Sequence, residues 1–326
     1  LVDLPIYFWP RARENAVIFR TLELGRSAAC ATIAVNQVLG GLPPTRVTAP
    51  DDGGRPLGLW WREPAATVQF GARQVLAPDI YESLRRLTDY LSFSGQSLLC
   101  YPLAAETGVL YPSPAESFRQ GAGGERHCSD WVEYALRLCE RRGQRFLPEL
   151  FLSDTFALSD AFGSHLEDDV AAGVATSRMV LWDGSLSRGG RGEAPRYTPA
   201  HRAVREAVVR HVEEIASRYG RSPALEGVAV HLGQGHFAWF GSLQGGYGDA
   251  TVAAFEKATG TRVPADKTGA ARFAQRARWL LANKREEWVA WRCKIVHATL
   301  AEAAARLAKQ RPSLRLYLNV ALPDPM

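Results

Sequence analysis

Four acidic residues stand where an apolar run gives way to a loop or a helix. Glu149 lies towards the end of Arg145-Phe-Leu-Pro-Glu-Leu-Phe-Leu152, and Asp154 follows just beyond it. Asp183 closes Met179-Val-Leu-Trp-Asp183, and Asp249 opens a helix downstream of Gly227-Val-Ala-Val-His-Leu232. Carboxyl groups placed this way suit glycosidic bond cleavage, which needs one group held protonated as general acid and a second ionised as nucleophile or base. Aromatic rings that could stack on sugars accompany them: Trp182, Trp239 and Tyr247. His231 and His236 flank the same loop as Trp239 and complete the candidate binding set. Structural roles remain open for each. Asp249 suits a helix N-cap, His231 a satisfied core position, and Trp239 and Tyr247 ordinary loop packing.

The elements that must position these residues are read from periodicity. Short apolar runs at Gln96–Tyr101, Arg145–Leu152, Met179–Asp183, Gly227–Leu232 and Leu314–Val320 predict buried strands. Between them, apolar residues recur at three and four: Ile80, Leu84, Leu87 and Leu91; Trp131, Ala135, Leu138 and Cys139; Val204, Val208, Val212 and Ile215. Ser129 is the expected cap of the second of these helices and Gly143 its stop. A long helical stretch from Arg272 to Arg311 is expected to divide near Asn283. Strands alternating with amphipathic helices select a parallel α/β architecture, and acidic or aromatic strand ends point to a (β/α)8 TIM-type barrel. Only about five such strands are visible against the eight of a full barrel. Residues 1–77 read differently, as a β-rich accessory region with strand-like runs at Ile6–Trp9, Ala16–Phe19, Ala31–Val35, Gly58–Trp61 and Thr67–Phe70. The barrel domain is therefore expected over residues 78–326, and incomplete, as in a piece of a longer polypeptide.

Composition narrows the classes. With 46% apolar and 22% charged residues in 326, the chain is ordinary globular material. A net charge of +5 comes from scattered arginines without a basic run, so no nucleic-acid partner is expected. Five widely separated cysteines without C-x-x-C spacing indicate neither a zinc site nor a disulfide framework. No apolar stretch reaches the length of a membrane span. Nucleotide, Walker, nucleophile-elbow and zincin motifs are missing from the sequence, so no cofactor and no metal are expected.

Several short segments, in order, carry a resemblance: Leu110-Tyr-Pro-Ser113, Asp130–Gly143, Arg218-Tyr-Gly220, Leu225–Val230, Gly246–Val252, Phe255–Pro264 and Trp288-Val-Ala-Trp-Arg292. Together they resemble a group of large, mostly uncharacterised bacterial proteins carrying a glycosyl hydrolase family 10-like barrel. The resemblance implies a carbohydrate substrate and hydrolysis of glycosidic bonds; the sequence does not fix a localisation, and a secreted or periplasmic setting is compatible with it. In that group a tryptophan, a glycine, an aromatic residue or methionine and two acids precede the helix. Here Gln244-Gly-Gly-Tyr-Gly-Asp249 keeps only Asp249, with Gly245 in place of the tryptophan and Gly248 in place of the first acid. Asp249 is thus the position the resemblance supports best, and the missing acid weighs for a runner-up, a non-catalytic carbohydrate-binding or scaffold protein on a degenerate barrel. The oligomeric state is not readable from the helix surfaces.

Overall fold

The structure, a computed structural model, describes residues 15–23, 26–35, 57–60, 77–105, 108–114, 130–155, 158, 167–189, 194–233 and 235–320. Two compact units divide the chain, Leu1–Thr48 and Ala49–Met326. In the first, β1 (Asn15–Glu23) and β2 (Arg26–Val35) pair antiparallel, with Glu23 opposite Arg26 and a register irregularity at Phe19/Arg20. These strands contain the runs expected at 16–19 and 31–35. The runs expected at 6–9 and 67–70 lie outside the described residues.

The second unit is a half-barrel. Strands β3 (Gly58–Trp60), β4 (Leu98–Ala105), β6 (Arg145–Leu150), β7 (Gly227–Leu232) and β8 (Arg315–Val320) lie side by side in chain order, each parallel to the next. The two-residue β5 (Gly108–Val109) pairs antiparallel with the end of β4. Parallel neighbours require crossovers, and helices supply them. They are α1 (Ala77–Phe93), α2 (Trp131–Arg141), α4 (Arg202–Tyr219) and, before β8, α7 (Arg285–Gln310). Three further helices decorate the connections: α3 (Glu167–Ala171), α5 (Asp249–Thr259) and α6 (Ala271–Asn283).

The central strands β4, β6 and β7 are largely apolar on both faces, and the period of two decides which residue goes where. Leu99, Tyr101, Phe146, Leu150, Val228 and Val230 face the helices, packing with Leu84, Leu87, Val132, Leu136, Val204, Val208, Ile215 and Leu307 in the main core. Their neighbours Cys100, Leu147 and Ala229 form a separate inner layer with Leu98 and Tyr317. Two residues further along the inner face come Glu149, His231 and Asn319. Gly227 is dictated by the sheet, since a Cβ there would stand 1.9 Å from the Arg315 carbonyl oxygen.

A second core lies outside this sheet, joining Met179, Val180, Phe240, Tyr247, Val252, Phe255, Phe273, Leu280, Trp288 and Trp291. Its composition corrects one expectation. Met179–Asp183 is not a strand of the parallel sheet; it forms only isolated bridges, Val180 to Leu186 and Leu181 to Gly245. The chain doubles back at Gly184 (φ 94°), so Leu181 donates to Ser185 and its backbone groups are spent on loops. Conversely, the run at Gly58, expected in the β-rich opening, is the first strand of the parallel sheet, with Gly58 opposite Leu98. The cap of α2 is Asp130, which accepts from Glu133 N at 3.2 Å. The long helical stretch breaks at Lys284, between α6 and α7.

Candidate functional site

Glu149 is fully buried at the carboxyl end of β6, on the inner face. A carboxyl group taken from water must recover its hydrogen bonds, and this one draws them from four strands. Its Oε1 accepts from Asn319 Nδ2 on β8 at 2.6 Å and meets His231 Nδ1 on β7 at 2.9 Å. Its Oε2 accepts from Trp60 Nε1 on β3 and lies 3.8 Å from Cys100 Sγ on β4. Trp60 Nε1 and Asn319 Nδ2 are both donors to Glu149, and with the carboxyl group as the acceptor of the cluster His231 Nδ1 is assigned as a third donor. Burial, with the Glu149 charge beside it, pushes the Cys100 thiol up, which makes that sulfur a weak donor and not a nucleophile.

Aromatic rings enclose the imidazole. Phe151 stacks on His231 at 4.3 Å between centroids, and Trp60 lies nearly parallel to it at 6.3 Å. His236 meets His231 edge-on at 4.9 Å. The turn that brings the two histidines together is tied at Gly233, whose N–H donates to His236 Nδ1 (3.3 Å) and whose carbonyl accepts from Trp239 Nε1 (2.8 Å). Trp239 is half-buried and packs against the main core. A Cβ on residue 233 would stand 2.7 Å from His231 Nε2, so glycine alone fits.

The remaining sequence-derived candidates have partners of their own. Asp154 accepts from Tyr197 Oη (2.7 Å) and Thr155 N (2.8 Å) and pairs with Arg196. Asp183 is exposed in the Gly184 turn, where the Ser185 hydroxyl (2.6 Å) holds its carboxyl below the usual range. Asp249 is the first residue of α5, after an N-cap at Gly248, and its side chain turns to α6. There it takes Arg272 Nη2 and Arg276 Nη1, each at 2.6 Å, and the Arg272 hydrogen bonds, foremost, hold its carboxyl low. Arg272 also donates to the carbonyls of Val170, Ala171 and Gly269, binding α3, α5 and α6 together. Tyr247 is buried in the second core, stacked on Trp288 at 6.0 Å, with its hydroxyl on the Leu243 carbonyl. Trp182 is 54% exposed. Gly245 packs against Met179, where a Cβ would already come within 2.7 Å of its side chain, leaving no room for an indole.

The structure thus brings Glu149, His231 and His236 together with four residues that sequence reasoning missed: Trp60, Cys100, Phe151 and Asn319. A signal existed for Asn319, a polar residue two places after the inward Tyr317 in an apolar strand. For Trp60 the strand was read but not its sheet. Among the described residues no group of three or more His, Cys, Asp or Glu side chains is arranged to hold a metal, and no helix is long and apolar enough to cross a membrane.

The sequence matches no family model and no curated protein. Among solved structures the chain is similar to a cold-adapted β-galactosidase from Rahnella sp. R3, with a TM-score of 0.51 at 13% identity over 81% of this chain and 36% of that one. It is equally similar to α-L-fucosidase isoenzyme 2 from Paenibacillus thiaminolyticus, with a TM-score of 0.51 at 10% identity over 82% of this chain and 32% of that one. The chain therefore spans about a third of the length of the structures it resembles. These neighbours are TIM-barrel glycoside hydrolases, and at such identity the likeness is one of fold: this chain is part of a TIM-type barrel.

Proposed function

We propose that this chain is the sugar-binding and cleaving part of a glycoside hydrolase of the glycosyl hydrolase family 10-like kind, acting on a polysaccharide or oligosaccharide. The observation that supports this most is the cluster around Glu149. A buried carboxyl group, two histidines and an exposed tryptophan sit at or just beyond the carboxyl ends of parallel strands, where barrel enzymes place their sites. Fold likeness to glycosidases supports the barrel that carries these residues and does not carry the chemistry. Acid and base are drawn from Glu149 at the end of β6, Asp154 just beyond it, Asp183 in the Gly184 turn and Asp249 at the start of α5. The binding surface is drawn from Trp182, Trp239, Tyr247, His231 and His236.

One observation favours a second reading, a barrel that binds glycans without cleaving them. Asp154 pairs with Arg196, and Asp249 with Arg272 and Arg276, so both carboxyl groups are already engaged in ion pairs. Reducing-end release from a glycan panel separates the two. Under the hydrolase reading, replacing a true acid or base among Glu149→Gln, Asp154→Asn, Asp183→Asn and Asp249→Asn lowers release at least about 100-fold in a folded protein. Glycan binding without release from any substrate supports the second reading.

A further inference from the structure

Both oxygens of Glu149 are engaged and the residue has no exposed surface, so a ligand reaches it only by breaking hydrogen bonds already made. What the carboxylate does instead is fix its partners. Trp60 is anchored through Nε1, yet the residue is 44% exposed, so an oriented indole borders open space. His231 is only 6% exposed, and its Nε2 has no hydrogen-bond partner among the described residues. In the neutral imidazole a proton on Nδ1, held towards Glu149, leaves the lone pair on Nε2, which then acts as an acceptor. Glycine at 233 keeps that nitrogen uncovered, because any Cβ would stand 2.7 Å from it. An oriented aromatic face beside one unsatisfied acceptor is the complement of a saccharide ring, which offers an apolar C–H face and hydroxyl donors. Among the described residues no arginine or lysine hydrogen-bonds to Glu149, His231 or Trp60, so the groups shown there suit the hydroxyls and C–H face of a neutral ring.

We propose that Glu149 is a positioning residue that builds a subsite for a neutral saccharide ring, with the Trp60 indole against the ring face and His231 Nε2 accepting from a ring hydroxyl. The proposal rests on the carbohydrate reading above, adds the substrate class, and gives Glu149 a positioning role in place of its candidacy as acid or base. It assigns a role to Trp60 that no periodicity in the sequence indicates.

The test is calorimetric titration of the protein with neutral and uronate oligosaccharides, beside Trp60→Ala, Trp60→Phe and His231→Ala. The expected result is binding of a neutral oligosaccharide that Trp60→Ala weakens at least about tenfold, as loss of an aromatic platform should. Trp60→Phe keeps a ring but loses the anchor and falls between. In nitrogen-15 NMR, His231 shows a protonated Nδ1 and a bare Nε2, and the neutral saccharide shifts Nε2, a response that a purely structural histidine would not give. Glu149→Gln disturbs that tautomer signature; should this variant fail to fold, the Trp60 variants and the wild-type spectrum still decide. Equal binding by wild type and Trp60→Ala, or preference for uronates, overturns the subsite while leaving the carbohydrate reading standing. No binding of any glycan overturns both.

Discussion

Glu149 and Asp249 answer the same description in the sequence, an acid near the end of an apolar run, and the fold treats them in opposite ways. Glu149 is fully buried and held by uncharged donors and a histidine from neighbouring strands. The Asp249 side chain is 43% exposed and held by two arginines whose side chains are only 10% and 13% exposed. In the second region the arginines are the groups that need compensation, and Asp249 supplies it while tying α5 to α6. In the first, the carboxylate organises groups that retain unused capacity, an indole face and an imidazole nitrogen. Two pairs of full charges make a latch; one carboxylate among neutral donors makes a template.

The contrast can be broken most sharply at Glu149. Replacing it with alanine leaves Trp60 and Asn319 without their acceptor and opens a void, at an expected cost of about 3 kcal/mol in urea denaturation. A loss below about 1 kcal/mol would mean that the cluster is not the buried network described. Asp249→Asn is expected to cost less, about 1–2 kcal/mol, because solvent screens a carboxylate that is nearly half exposed. Acid sharpens this second case. The Arg272 and Arg276 contacts depress the folded-state pKa of Asp249, so its contribution is full above the unfolded aspartate value of about 4 and fades as pH falls through the lower folded value. Wild type and Asp249→Asn should therefore differ in urea midpoint at pH 6 and converge at low pH. A gap that stays constant would remove the ion pair as its cause.

Smaller effects separate the two regions at their glycines. Gly233→Ala drives a methyl group into His231 and His236, two rings fixed by hydrogen bonds, and should cost about 2 kcal/mol while shifting the His231 resonances. Gly245→Ala meets the Met179 side chain at a similar 2.7 Å, but an unbranched thioether can move aside, so the expected cost is about 1 kcal/mol or less. Thermal unfolding of both variants ranks them. Equal losses would show that the histidine pair is no more rigid than the second core.

Much of the barrel was open to reading from residue order alone. Amphipathic helices with apolar residues at three and four, and strands apolar on both faces, left little choice but a parallel sheet covered by helices. The elements at 98–105, 145–150, 202–219 and 227–232 follow from that pattern. The misreading at Met179–Asp183 has a physical cause: an apolar run buried in a loop core has the same composition as one buried in a sheet, and only pairing distinguishes them. Periodicity likewise places Glu149 and His231 on the inner face of their own strands. It cannot say that Trp60 and Asn319, separated by 259 positions, close on the same carboxylate, because that depends on register across five strands. Local sequence thus determined the elements, their order and their buried faces, since those rest on contacts a few residues apart. Tertiary structure decided which acid became a latch and which a template, since a carboxyl group's chemistry is set by the donors and solvent around it, and those arrive from distant parts of the chain.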